Sequence, residues 1–250
     1  MKKQIPNFVT LLNLFSGCIA VLFAVHNHFV AAAIFVALGI FFDFFDGLLA
    51  RKLQVQSAIG VQLDSLADMV TSGLVPGIIM FKLLNLAVGD ADISVTSDDW
   101  NSVIGFEGFE FASLGLIGFF ITLASAYRLA KFNIDEDQQS YFKGLPTPAN
   151  TLLIVSLPLI MEFQNNDTMN TIILNPWFLI ALTLLSSYLL VSNIKLFALK
   201  FKDWGFKKNA LRYIFIILCV VLLTVLQFAA IPVIILLYIG LSLANQVSIE

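Results

Sequence analysis

Four carboxylates, Asp43, Asp46, Asp64 and Asp68, interrupt two otherwise apolar stretches, FFDFFDGLLARKL and GVQLDSLADMVTSG, separated by a short polar turn. A charge within a membrane-spanning helix costs about 3 kcal/mol or more unless it is paired, hydrated or metal-bound, so these positions are candidates for chemistry rather than packing. Helical spacing gathers them. At about 100° per residue, Asp43, Asp46, Gly47, Ala50 and Arg51 fall within an arc of roughly 140° on the first helix, and Gly60, Asp64 and Asp68 within roughly 80° on the second. Two antiparallel helices with those faces opposed can enclose one or two divalent cations. Four like charges so close repel strongly without a counter-ion. All-oxygen ligands favour Mg²⁺ or Mn²⁺, with Ca²⁺ compatible on ligand type.

Gly47 and Gly60 each stand one turn from an aspartate, at helix positions where glycine costs about 1 kcal/mol relative to alanine. With Ala50 they form a strip poor in side chains. Such a strip serves either a bulky ligand approaching the backbone or the close packing of two membrane helices. Arg51, on the same face, offers a bidentate donor to a phosphate. Thr10 and Asn13, one turn apart in the first apolar stretch, either touch a nucleotide or donor phosphate or bond a neighbouring helix.

Positioning these groups falls to membrane helices. Of the 250 residues, 59% are hydrophobic and 12% charged, and the mean hydropathy of +0.90 excludes an ordinary soluble domain. Stretches of about 20 apolar residues, the length that crosses a hydrocarbon core, recur near 6–25, 29–52, 60–82, 111–131, 147–162, 176–195, 211–228 and 230–245. The expected fold is all-α, a polytopic membrane helix bundle of about eight transmembrane helices, forming a single integral membrane domain over 1–250. For 211–245 a single long kinked segment competes, because only Ala229-Ala230-Ile231-Pro232 separates the halves. Cys18 and Cys219 lie in separate apolar runs, and neither a disulfide framework nor a thiolate metal site is expected.

Eight spans place 1–5, 53–59, 132–146, 196–210 and the C-terminal tail on one side. Lys2, Lys3, Arg51, Lys52, Arg128, Lys131, Lys143, Lys195, Lys200, Lys202, Lys207, Lys208 and Arg212 fall at or beside that side, leaving Lys82 at the other. By the positive-inside rule it is cytoplasmic, and it holds the ends of the helices that carry the four aspartates. The opposite loop carries Asp90, Asp92, Asp98, Asp99, Glu107 and Glu110 without a cation, and reads as a solvated acidic connector.

Asp46-Gly47-x2-Ala50-Arg51-x8-Gly60-x3-Asp64-x3-Asp68, with Asp43 three residues earlier, resembles the complete signature of the CDP-alcohol phosphotransferase family. The resemblance implies two divalent metals, Mg or Mn, held by Asp43, Asp46, Asp64 and Asp68, with Asp68 also the general base. It places Gly47, Arg51 and Ser57 against the CDP part of the donor, and implies attack of an acceptor hydroxyl on the lipid-linked phosphorus with release of CMP.

Outside the signature, Ile5–Asn13, Tyr127–Asn133, Gly144–Ala149 and Val191–Lys195 are similar to segments of bacterial phosphatidylserine synthases, with Lys at 131 and 195 where related members often have Arg. That likeness implies transfer from CDP-diacylglycerol to L-serine, in contact with membrane lipids and in a bacterial inner membrane. No nucleic acid is expected as a partner. Homodimers are common in the resembled family. The serine carboxylate needs a cation near the metal site. Arg128 is the candidate, with Lys131 beside it; the alternative for each is an interfacial cation snorkelling to the membrane surface. Glycerol 3-phosphate or an inositol phosphate is the competing acceptor, and would demand a richer basic pocket. A divalent-cation transporter is the competing class, since buried aspartates also mark ion paths. It expects acidic residues spread across the membrane, whereas these four cluster at one end.

Overall fold

Proline, asparagine and serine mark where several of the helices start. A computed structural model of the chain describes residues 4–89, 114–134, 141–164, 166–197 and 206–247. Helix α1 (Ile5–Val25) has Pro6 in its first turn, where a missing N–H costs nothing. A tight reversal at Asn27, φ 61°, returns the chain into α2 (Phe29–Lys52). The two helices pack antiparallel, and each buries small residues, Gly17, Ala20 and Ala24 in α1 and Ala32 and Gly39 in α2, as membrane helices do when backbones approach closely.

Helix α3 (Ala58–Asp68) is capped by Ser57, whose Oγ accepts the Gly60 N–H at 3.1 Å. It runs on through a π-helical segment, Met69–Leu74, into α4 (Val75–Val88), which ends at Gly89 with φ 87°. Pro76 explains the widened turn. It has no N–H to offer the carbonyl of Ser72 four residues back, and its ring crowds that carbonyl. Thr151 Oγ1 donates to Ser72 O instead, at 2.8 Å, and Thr122 Oγ1 donates to Gly73 O at 3.0 Å. Within the 31-residue run Ala58–Val88, 67% of the most apolar 18-residue stretch is buried, which makes it the centre of the bundle.

Around it stand α5 (Phe120–Ile134), α6 (Thr147–Gln164), the short α7 (Asp167–Ile173) and α8 (Pro176–Val191). Pro148 lies in the first turn of α6, and Asn166 and Asn175 cap α7 and α8 through their side chains. Helices α9 (Phe206–Leu226) and α10 (Ala230–Val247) complete the chain, joined by a turn at Gln227–Ala229.

The chain is an all-α polytopic membrane protein, and each of the eight apolar segments expected from the sequence contains a helix, with 111–113 outside the described residues. By length and apolarity, five helical runs suffice to cross a membrane, or six when α7 and α8, bent by 61°, count as one. Two departures from the expected eight have physical causes. Helix α6 buries Thr147, Asn150, Thr151 and Ser156, polar positions that lower its apolarity while serving the interior. The run Arg212–Ala244 is a hairpin rather than one kinked helix. Phe215 and Tyr238 place their ring centroids 5.7 Å apart, where 23 residues of straight helix would separate them by about 34 Å.

The segment expected as a span over 176–195 ends earlier, at Val191, because Ser192 turns extended, ψ 157°. Beyond it lies a strand absent from the sequence reading. Strand β1 (Tyr141–Lys143) pairs antiparallel with β2 (Lys195–Phe197) in the register Tyr141↔Phe197, Phe142↔Leu196 and Lys143↔Lys195. Gly144, φ 73°, follows β1. Its N–H bonds Ile194 O at 2.9 Å, and a Cβ there would lie 2.7 Å from Leu190 O. Tyr238 Oη donates to Phe197 O at 2.9 Å, tying β2 to α10. Lys2, Lys3, Lys200, Lys202 and the acidic loop from Asp90 to Glu110 lie outside the described residues.

Candidate active site

The turn Leu53–Ser57, with Gln54 at φ 54°, sets α3 back alongside α2, so the faces that carry the aspartates are opposed. Carboxylate oxygens of Asp43, Asp46 and Asp64 all lie within 4.8 Å of one another. Asp43 and Asp64 are within hydrogen-bond reach of each other. Asp46 is buried, 5% exposed, while Asp43, Asp64 and Asp68 are half-buried.

Donors from α1 hold two of the four. Thr10 Oγ1 donates to Asp46 Oδ2 at 2.5 Å, and Asn13 Nδ2 donates to Asp68 Oδ1 at 3.1 Å. Thr10 and Asn13 thus each bond a neighbouring helix. Asp64 Oδ1 is buried and has no hydrogen-bond partner. A buried acceptor of this kind costs about 1–3 kcal/mol unless something fills it. Three converging carboxylates with one oxygen still open fit a hard divalent cation, for which oxygen ligands are the preferred donors. Asp68 lies one turn along α3 from Asp64, at the edge of this group.

On the same face of α2, a Cβ added to Gly47 would meet only Arg51 Nη2, at 3.9 Å. The space there is open, unlike the tight contacts at Gly17 and Gly39. Arg51 is exposed and its Nε donates to Gly47 O at 3.0 Å, and Ala50 is half-buried beside it. At Gly60 a Cβ would lie 3.1 Å from Ser57 Oγ and 3.2 Å from Asn7 Oδ1. Ser57 therefore serves as a helix cap, and Asn7 crowds Gly60 from α1. A Gly47→Leu variant should keep or raise its melting temperature, since leucine is the better helix former by about 1 kcal/mol. If the open strip receives the donor, its KM for CDP-lipid should rise about tenfold with the KM for the acceptor unmoved; steady-state kinetics in mixed micelles separate the two.

Arg128 comes from α5 and faces Asp68 electrostatically. It is 8% exposed, its Nη1 lies 3.4 Å from Thr147 Oγ1, its Nε has no partner, and Phe132 lies under the guanidinium at 5.9 Å. Burial of this depth separates Arg128 from a snorkelling interfacial cation. Arg128, Lys131, Phe132, Lys143 and Ser192 line one cleft, so α5, β1 and the end of α8 contribute to it together. Lys131 Nζ donates to Asn193 Oδ1 at 2.9 Å.

Several site neighbours carried no assignment from the sequence. Thr147 partners Arg128, Asn193 holds Lys131, and Thr71 donates to Asn13 Oδ1. Ser65 and Asn133 bond one another and tie α3 to α5. Three of these, Asn133, Thr147 and Asn193, fall inside the quoted flanking segments, which was the available signal. Thr71 offered none.

A profile of the CDP-alcohol phosphatidyltransferase family matches residues 3–188. Among curated proteins, the chain is 30% identical over 193 residues to the CDP-diacylglycerol–serine O-phosphatidyltransferase of Bacillus subtilis, covering 77% of this chain and 89% of that one. It is 28% identical over 214 residues to the protein of the same name from Helicobacter pylori, covering 84% and 79%. A Saccharomyces cerevisiae protein of that name is 30% identical over 170 residues, covering 62% and 53%.

Proposed function

Because the chain belongs to the CDP-alcohol phosphatidyltransferase family, we propose that it transfers a phosphatidyl group from CDP-diacylglycerol to L-serine with release of CMP, as a single membrane domain. The convergence of Asp43, Asp46 and Asp64 within 4.8 Å, beside a buried arginine, is the observation that carries this reading. Relatives named for serine transfer support the acceptor. The clustering of Lys and Arg at the ends of α2, α5 and α8 supports a site that opens to the cytoplasm.

A divalent cation, Mg or Mn and in our reading two ions, held by Asp43, Asp46, Asp64 and Asp68, supplies charge neutralisation for the pyrophosphate of the donor. The protein's own groups do the rest. The strip of Gly47, Ala50 and Gly60 admits the cytidine nucleotide, and Arg51 pairs with phosphate. Arg128, with Lys131, receives the serine carboxylate and aims the side-chain hydroxyl at the phosphorus. Asp68 Oδ1 is held by Asn13, which leaves Oδ2 to take the hydroxyl proton. The new O–P bond forms as the bond from phosphorus to the CMP oxygen breaks, and CMP departs with the electron pair.

Purified protein supplied with CDP-diacylglycerol, Mn²⁺ or Mg²⁺ and labelled L-serine should give labelled lipid and equimolar CMP. Glycerol 3-phosphate and inositol phosphate, run in parallel, should give little product. Preference for either of those, or no CMP from a folded preparation, would overturn the assignment. Metal removal by EDTA should both abolish product and lower the melting temperature, because the carboxylates then face one another uncompensated.

A further inference from the structure

Asp68 is the end of a hydrogen-bonded chain. Asn13 Nδ2 donates to Asp68 Oδ1 at 3.1 Å, and Thr71 Oγ1 donates to Asn13 Oδ1 at 2.8 Å. A carboxylate only accepts, so the amide of Asn13 must turn its nitrogen to Asp68, and its oxygen is then left for a donor. Thr71 is that donor. Both Asn13 and Thr71 are fully buried, and water does not compete for these bonds.

Thr71 bonds away from its own helix. Thr171, Thr183 and Thr224 donate to the carbonyl four residues earlier in their own helix, whereas Thr10, Thr122 and Thr151, like Thr71, reach a group on a neighbouring element. The Thr71 hydroxyl reaches across to α1. The π segment turns it there, while the neighbouring carbonyls of Ser72 and Gly73 are taken by Thr151 and Thr122. Two glycines close the space around the chain. A Cβ at Gly39 would lie 2.6 Å from Thr71 Cγ2 and 2.9 Å from Asn13 Oδ1, and one at Gly17 would overlap Thr71 Oγ1. Helices α1 and α2 and the π segment thus leave this chain one conformation.

We propose that Thr71 is a positioning residue for phosphatidyl transfer: through Asn13 it fixes the rotamer of Asp68, so that Oδ2 is the oxygen presented to the acceptor hydroxyl. This rests on Asp68 being the base. Thr71 touches neither substrate, so its effect falls on kcat and leaves both KM values in place.

Paired substitutions separate this role from packing. Thr71→Val keeps the shape and methyl contacts and loses the hydroxyl; Thr71→Ser keeps the hydroxyl and loses the methyl contact with Gly39. Positioning predicts that Thr71→Val lowers kcat about 10-fold to 100-fold, the scale of small misplacements at a reacting centre. Both KM values should stay within about twofold, while Thr71→Ser retains kcat within about threefold; the melting temperature of Thr71→Val should fall, because Asn13 Oδ1 is left a buried acceptor without its donor. Packing predicts the reverse order, with Thr71→Ser losing more kcat than Thr71→Val, and that result overturns the proposal.

The double variant Thr71→Val/Asn13→Ala should be no slower than Asn13→Ala alone, since both break one chain; additive losses also overturn it. Should Thr71→Val not fold, Thr71→Ser decides, because a loss there as large as that of Asn13→Ala again removes the relay. If Asp68→Asn keeps full turnover, the reading of the base fails instead, and the two failures are distinguishable.

Discussion

Asp68→Asn is expected to reduce turnover about a thousandfold, within the range that a positioned general base contributes. The substitution is close to isosteric. The amide oxygen of the substituted side chain can still accept from Asn13 Nδ2, so the helix contacts that hold α3 against α1 survive. What disappears is the basic oxygen opposite that bond. CMP release at saturating CDP-lipid and serine measures the loss, and retention of the CDP-lipid KM would show that the donor site is intact. Near-normal turnover in Asp68→Asn would falsify the role of base. Recovery at high Mn²⁺ would leave Asp68 a metal ligand alone, because a ligand lost can be offset by mass action whereas a base cannot.

Arg128→Ala carries the second large effect. The guanidinium is buried, with Nε unpartnered and Nη1 only weakly engaged at 3.4 Å by Thr147, so much of its donor capacity is open. A charge-assisted hydrogen bond to a carboxylate contributes about 1.5–3 kcal/mol, which corresponds to a KM for serine raised about 10-fold to 150-fold. The KM for CDP-lipid should stay within about twofold. Arg128→Lys should fall between, since an ammonium restores charge without the planar fork. Because Arg128 also faces Asp68, the pattern of the loss is diagnostic. A fall in kcat with the serine KM unmoved would place Arg128 on the base instead of the acceptor. Lys131→Ala should cost less, as Lys131 already bonds Asn193.

The tetrad was legible because charge in an apolar helix has few explanations, and its i, i+3 and i, i+4 spacings fix which face it occupies. The helices themselves were legible for the same reason: crossing lipid demands length and apolarity that turns do not have. What escaped the sequence was anything set by contact between distant segments. Tyr141–Lys143 and Lys195–Phe197 are three residues each, too short for an alternating pattern, and become strands only through each other. The early end of α8 follows from that pairing. Thr71 looked like any polar residue in a membrane helix. Its bond to Asn13 depends on a change of helical register that Pro76 causes but hydropathy does not display.

That change of register is best counted as phase. Bonds closed five residues apart advance the chain by roughly 82° per residue instead of 100°, so six residues of π-helix accumulate a lag of roughly 110°. At about 100° per residue throughout, Ile79, Met80, Leu83 and Leu84 would centre roughly 110° from Asp64 and Asp68, and the lag brings the two sets onto one side of a continuous rod. The 31 residues from Ala58 to Val88 can thus offer carboxylates to α2 at one end and bury Ile79, Met80, Leu83 and Leu84 at the other along one side, although no uninterrupted α-helical stripe would join them. Deleting one residue between Met69 and Leu74 would leave every aspartate in the chain. It would also leave both ends of the rod at nearly the same relative angle, since one step fewer at about 100° offsets the lag, and would remove only the widened turn that carries Thr71 to Asn13.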